Sequence, residues 1–105
     1  KILHKKDQLH KMYHKLVSNY DFCDLLESMP KEKPNYWINN IVISSKNKNF
    51  KNNLLKKLHS RGIYAREIWT PQHLLAMFKK YPRMKLTNSV DMWKRTISLP
   101  SSVKL

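Results

Sequence analysis

The stretch Asn35-Tyr36-Trp37-Ile38-Asn39-Asn40-Ile41-Val42-Ile43-Ser44-Ser45 decides between an all-helical chain and a mixed one. Trp37, Ile41, Val42 and Ile43 are aromatic or β-branched, and such side chains suit a pleated, half-buried surface. The stretch therefore reads as a largely buried strand, with Asn39 and Asn40 giving one face something polar to touch. On its C-terminal side, residues 48–60 place Phe50, Leu54, Leu55 and Leu58 in one helical stripe. Arg61 and Gly62 close that helix, the glycine falling where a left-handed residue is wanted. Residues 63–69 then alternate, with Ile63, Ala65 and Glu67 on one side and Tyr64, Arg66 and Ile68 on the other, which reads as a second strand. Pro71 starts a short helix through Phe78, and a basic loop surrounds Pro82 over residues 79–86. Thr87 or Asn88 would cap a helix over residues 90–96, followed by an extended Ile97-Ser98-Leu99-Pro100. Ser101 and Ser102 have the look of a further cap, but the chain stops at Leu105.

On the N-terminal side, Leu9, Met12, Tyr13, Leu16, Val17 and Tyr20 recur at helical spacing within residues 2–20, and lysines and histidines fill the opposite face. A short apolar patch, Phe22 to Leu26, leads to a Pro30–Pro34 connector, which two prolines mark as a loop. The order is helix, strand, helix, strand, helices. The fold class that satisfies it is α+β: a small, mostly antiparallel sheet covered by helices on one face.

The chain has 105 residues, enough for a single domain with one modest core. Hydrophobic residues make up 41% of it, which is not the composition of a disordered tail. Its single cysteine, Cys23, excludes an intrachain disulfide and any multi-cysteine zinc site, and it suits a reducing, cytoplasmic setting. No apolar run is long enough to cross a bilayer and no signal peptide opens the chain, so no membrane partner is expected. The start at Lys1 rather than methionine reads as a piece of a longer chain.

The formal charge of +14 raises the question of nucleic acid. Only Arg61, Arg66, Arg83 and Arg95 of the 21 basic residues are arginine. Base readout favours the bidentate guanidinium, whereas scattered lysine solubilises. Solvated lysines on exposed helix faces are the plainer reading. A small basic nucleic-acid-binding module remains the alternative, and it predicts polyanion affinity falling steeply with salt.

The run Gly62-Ile63-Tyr64-Ala65-Arg66-Glu67-Ile68-Trp69-Thr70-Pro71-Gln72-His73 resembles a segment of the DegT/DnrJ/EryC1/StrS family of nucleotide-sugar aminotransferases. There a helix ending in Gly leads to a strand reading roughly G-I-x-x-R-P-I-W and a loop with a His. Pro82-Arg83-Met84, Leu99-Pro100-Ser101-Ser102 and the strand Asn35-Tyr36-Trp37-Ile38-Asn39 match further steps in the family's order. The last is similar to an N-Y-W-L-N strand of the branch making 4-amino sugars for legionaminic-acid-type glycans. One departure stands out: Glu67 occupies the family's proline position, where a carboxylate beside Arg66 would pair with it.

The resemblance implies that residues 1–105 are the C-terminal small domain of a fold type I, pyridoxal phosphate (PLP)-dependent sugar aminotransferase. The N-terminal domain, with the cofactor lysine and most cofactor contacts, would be absent, and the fragment alone inactive. The implied substrate is a nucleotide-linked 4-keto-6-deoxy sugar, with glutamate as amino donor, for surface polysaccharide or glycan biosynthesis. Implied partners are the chain's own N-terminal domain and a second subunit. No catalytic residue is expected within these residues. Substrate-binding candidates are His73, Trp69, Arg66, Asn35 and Tyr36. Each has a plainer reading: a surface histidine, core packing for Trp69, ion pairing with Glu67 for Arg66, and strand-edge hydrogen bonding for Asn35 and Tyr36. His10 and His14 share a helix face at i and i+4, but no third ligand accompanies them, so no metal site is expected and a wet helix face is the plainer reading. Cys23 has no adjacent base and reads as a small buried hydrophobe.

Overall fold

The computed structural model describes residues 1–44 and 49–104, so residues 45–48, which hold the expected strand end at Ser45 and helix start at Lys48, and residue 105 lie outside the described residues. The elements are α1 (Ile2–Val17), β1 (Cys23–Leu25), β2 (Asn39–Ile43), α2 (Phe50–Ser60), β3 (Arg66–Glu67), α3 (Thr87–Arg95) and β4 (Thr96–Leu99). Two 3-10 turns, Gln72–Leu74 and Ala76–Phe78, stand between β3 and α3. The strands form one antiparallel sheet in the order β1-β2-β4-β3. The expected α+β architecture is present.

Registers sort the side chains. Cys23 lies opposite Ile43, Leu25 opposite Ile41, and Ile41 opposite Ile97, which puts all of them on one face. That face packs against Val17 of α1 and Leu55 of α2 as one buried cluster, joined by Ala65. Asn40, Ser98 and Arg66 align across β2, β4 and β3 on the opposite face. Tyr13 ties α1 to the far end of the chain, its hydroxyl donating to the Pro100 carbonyl at 2.6 Å.

The expected alternation of residues 63–69 does not form a full strand, and of these residues only Ala65 is buried. Gly62, at φ 74°, ends α2: its N–H donates to His59 O and that of Ile63 to Leu58 O, the paired bonds of a Schellman cap. The Ala65 N–H turns back to Ile63 O, and Ala65 O accepts from His59 Nε2 at 2.7 Å. With these groups committed to the helix end, only Arg66 and Glu67 reach β4.

Other boundaries moved as well. The Phe22–Leu26 patch supplies an edge strand, because Cys23 and Leu25 alternate toward the core with Asp24 outward. The segment expected as one helix from Pro71 divides into the two 3-10 turns at Leu75, whose ψ of 137° is extended. The N-cap of α3 is Leu86, with no side-chain cap bond, so neither Thr87 nor Asn88 caps it. Thr96 leaves the helix to pair with Val42, and its hydroxyl donates to Met92 O at 2.6 Å. No helix follows Ser101 and Ser102 among the described residues.

Cys23 is buried as expected, and burial, followed by the charge of Asp24, pushes its thiol above the ordinary range. Burial likewise pushes the Tyr13 phenol up. Both groups hold their protons more tightly in the folded chain. Their contribution is therefore complete below the free-group values and is lost as pH rises from those values through the raised folded ones. The urea midpoint should fall as pH is raised across roughly 8.5 to 10, and Cys23 should react with a thiol reagent only on unfolding. Replacing Ile97, 0% exposed, by Ala should cost about 2–5 kcal/mol in the same urea titration.

Candidate functional site

Two clefts flank the β3 edge. The first, about 850 Å³, opens on the outer sheet face and is lined by Trp37, Ile38, Tyr64, Arg66, Trp69 and Ser98. Its floor is polar: Ser98 Oγ donates to Asn40 Oδ1 at 2.6 Å. Its rim is aromatic, with the Trp37 and Trp69 rings edge-on at 6.4 Å. Trp69 is 79% exposed, which overturns core packing as its role. Arg66 enters the cleft because strand alternation sends it to the face of Ser98 and Asn40. An exposed guanidinium in a cleft that indole rings also line can bind an anion and a planar ring together.

The second cleft, about 1020 Å³, lies on the other side of β3 among Lys51, Glu67, His73, Arg83, Trp93 and Lys94. His73 is therefore separated from Trp69 and Arg66. Its carbonyl accepts a long bond from Arg83, at 3.5 Å. Asn35 and Tyr36 do local work instead. The Asn35 Oδ1 accepts from the Trp37 N–H at 3.0 Å, an Asx turn that presents Trp37 to the first cleft. Tyr36 sits at φ 51°, uncommon for a residue with a Cβ, and its ring lies 4.6 Å from that of His10. Of the five candidates, the structure brings Arg66 and Trp69 into one cleft and leaves His73, Asn35 and Tyr36 outside it.

The expected Arg66–Glu67 pair is absent. Glu67 faces α2, where Lys51 Nζ holds its carboxylate at 2.8 Å, and none of the ion pairs among the described residues includes Arg66. Lys51 is itself a correction to the reading of lysines as solvated: its side chain is 10% exposed and lies 5.6 Å over the Trp93 ring. The signal was there to find, since Lys51, Leu55 and Leu58 fall at i, i+4 and i+7 on one helix face.

His10 corrects the wet-face reading of α1. It is buried, its Nδ1 hydrogen-bonds the Asn39 side-chain amide at 2.8 Å, and its Nε2 lies 3.1 Å from Glu27 Oε2. Its spacing to Tyr13 and Val17, i+3 and i+7, carries the same signal. His14 stays exposed, 3.6 Å from the other Glu27 oxygen. Asn39, 1% exposed, is thus a buried anchor between sheet and helix. Along the same helix the Lys11 ammonium holds the Asp7 carboxyl below the usual range, and Asp7 raises Lys11 in return.

Among the described residues no group of three or more His, Cys, Asp or Glu is arranged to hold a metal ion, and no helix is long and apolar enough to cross a membrane. A PLP site needs a lysine able to condense with the aldehyde and a carboxylate for the pyridinium nitrogen. The buried lysine found here is committed to Glu67 beneath α2, so the described residues do not fit that cofactor.

The model of the DegT/DnrJ/EryC1/StrS aminotransferase family matches residues 1–105. No curated protein matches the chain. Among solved structures, it is similar to PseC of Helicobacter pylori, an aminotransferase involved in the biosynthesis of pseudoaminic acid. There the TM-score is 0.82 at 22% identity, over 93% of this chain and 27% of that one. It is also similar to the aminotransferase TlmJ of Streptoalloteichus hindustanus, with TM-score 0.80 and 16% identity over 93% and 26% of the two chains. The sugar aminotransferase CalS13 of Micromonospora echinospora gives 0.79 and 14% over 94% and 25%. The chain thus spans about a quarter of the length of the structures it resembles, and at these identities the likeness is one of fold.

His10→Ala strips Asn39 of its partner in a buried site and should lower stability by about 1–3 kcal/mol. His14→Ala, on the wet side of the same helix, should change it by less than about 0.5 kcal/mol. Urea unfolding of the two variants measures the difference.

Proposed function

Because this chain belongs to the DegT/DnrJ/EryC1/StrS aminotransferase family, we propose that it is the C-terminal small domain of a PLP-dependent sugar aminotransferase. The whole enzyme would move an amino group from glutamate to a nucleotide-linked 4-keto-6-deoxy sugar in the cytoplasm, for surface glycan biosynthesis. The observation that carries this reading is the alignment of nearly the whole fold with about a quarter of several sugar aminotransferases. The Asn35-Tyr36-Trp37-Ile38-Asn39 strand, together with the likeness to PseC, favours the branch that makes amino sugars of the legionaminic or pseudaminic type.

PLP, held by the larger remainder of the enzyme, supplies the electron sink for amino transfer. The part played by these residues is binding. Arg66 offers a guanidinium to the diphosphate of the nucleotide sugar, and Trp37 and Trp69 line the same cleft as rigid apolar walls. His73 lines the other cleft, where a second contact to the substrate would come from it. A second subunit in a homodimer would close the site from outside.

Purified full-length gene product loaded with PLP should aminate a UDP-linked 4-keto-6-deoxy sugar with glutamate, and the 105-residue chain alone should not. In the full-length enzyme Arg66→Gln should raise KM for the nucleotide sugar about tenfold while kcat stays within about threefold, the pattern of a lost binding contact. Failure of the full-length product to aminate any nucleotide-linked keto sugar overturns the reading.

A further inference from the structure

Arg66 and Glu67 are chain neighbours of opposite charge on the shortest strand of the sheet, yet they do not pair. The geometry points to Lys51 as the positioning residue that keeps Arg66 available to an anionic ligand by holding and neutralising Glu67. This inference rests on the anion contact proposed above for Arg66.

Three observations carry it. First, Glu67 is within reach of Arg66's cleft. Its side chain is 51% exposed at the β3 edge, and it lines both clefts, so strand alternation alone does not keep its carboxylate away from the guanidinium. Second, the lysine that holds it is itself held. Lys51 Nζ lies 2.8 Å from Glu67 Oε1 and 3.4 Å from the Trp93 carbonyl, above the Trp93 ring. Its stem shares the buried helix face with Leu55. An ordered, buried ammonium has already lost the rotamer freedom that weakens exposed pairs, and water screens it less. Third, Arg66 has no other anion among the ion pairs of the described residues. Without Lys51, a half-exposed carboxylate would stand beside an exposed guanidinium. A carboxylate matches its fork as well as a phosphate does, and would compete with the ligand.

The test is pyrophosphate binding by the full-length gene product, measured by calorimetry at fixed ionic strength. Arg66→Gln should weaken binding about tenfold, the size expected for one charge-assisted contact. Lys51→Met should weaken it by about the same factor, whereas Lys51→Arg, which keeps the ion pair, should retain affinity within about twofold. Lys51→Met with Glu67→Gln should recover wild-type affinity, because the competing charge is gone. Glu67→Gln alone, which does not depend on Lys51→Met folding, should leave affinity within about twofold of wild type. If Arg66→Gln weakens binding but Lys51→Met does not, or if the double variant stays as weak as Lys51→Met, the role given to Lys51 is overturned. Glu67→Gln binding several-fold tighter than wild type overturns it too, since Glu67 would then already compete. If Arg66→Gln leaves binding unchanged, the Arg66 contact itself fails, and the role of Lys51 with it.

Discussion

The pairing of β2 with β4 is the constraint on which the rest of the structure depends. Ile41 and Ile97 meet across it, and Asn40 and Ser98, 58 residues apart, close it with a side-chain bond of 2.6 Å. Joining segments so distant costs loop-closure entropy before any contact rewards it. What rewards it is the burial of Ile97, Ile41 and Ile43 against the two helices. β1 pairs only with β2, and β3 only with β4, so each outer strand exists because the central pair does. The outer cleft inherits the same dependence, since its floor is the polar face of that pair.

Two polar contacts lie at the borders of this apolar core. His10 and Asn39 join α1 to the sheet, and Lys51 and Glu67 join α2 to the opposite edge. Buried polar groups of this kind do not by themselves make a fold more stable than a well-packed apolar core would be. Their effect is directional: each bond has one geometry, so each helix is held at one position over the sheet. At the β3 edge this has a consequence for the surface. The Glu67 carboxylate is paired with Lys51, and Arg66, in none of the ion pairs among the described residues, lines the cleft that also holds Trp37 and Trp69.

The chain belongs to an aminotransferase family, and its fold spans about a quarter of the length of the solved structures it resembles. Fold alone does not carry chemistry. Here the buried Lys51 is committed to Glu67, while the outer cleft is aromatic and cationic. The binding role proposed for these residues rests on that cleft.

The two long helices, the buried strand around Ile41, the left-handed Gly62 and the inward Cys23 were all legible in the sequence. So was the α+β class, because periods of 3.6 and 2 are local properties of side-chain spacing. The three-residue β1 was too short to show a period. The shortening of the 63–69 strand depended on His59 and Leu58 capturing backbone groups that spacing cannot see. Of the five candidate site residues, motif and spacing alone could not divide Arg66 and Trp69 from His73, because the division follows from which side of β3 each segment passes. By itself the sequence determined the two long helices, the central strand and the class of the fold, since these follow from hydrophobic spacing along the chain. Only the tertiary structure decided that Lys51 rather than Arg66 holds Glu67 and that His10 is buried on Asn39. Those choices compare partners distant in sequence, and the energy of an ion pair or hydrogen bond depends on through-space distance and burial, which no local pattern encodes.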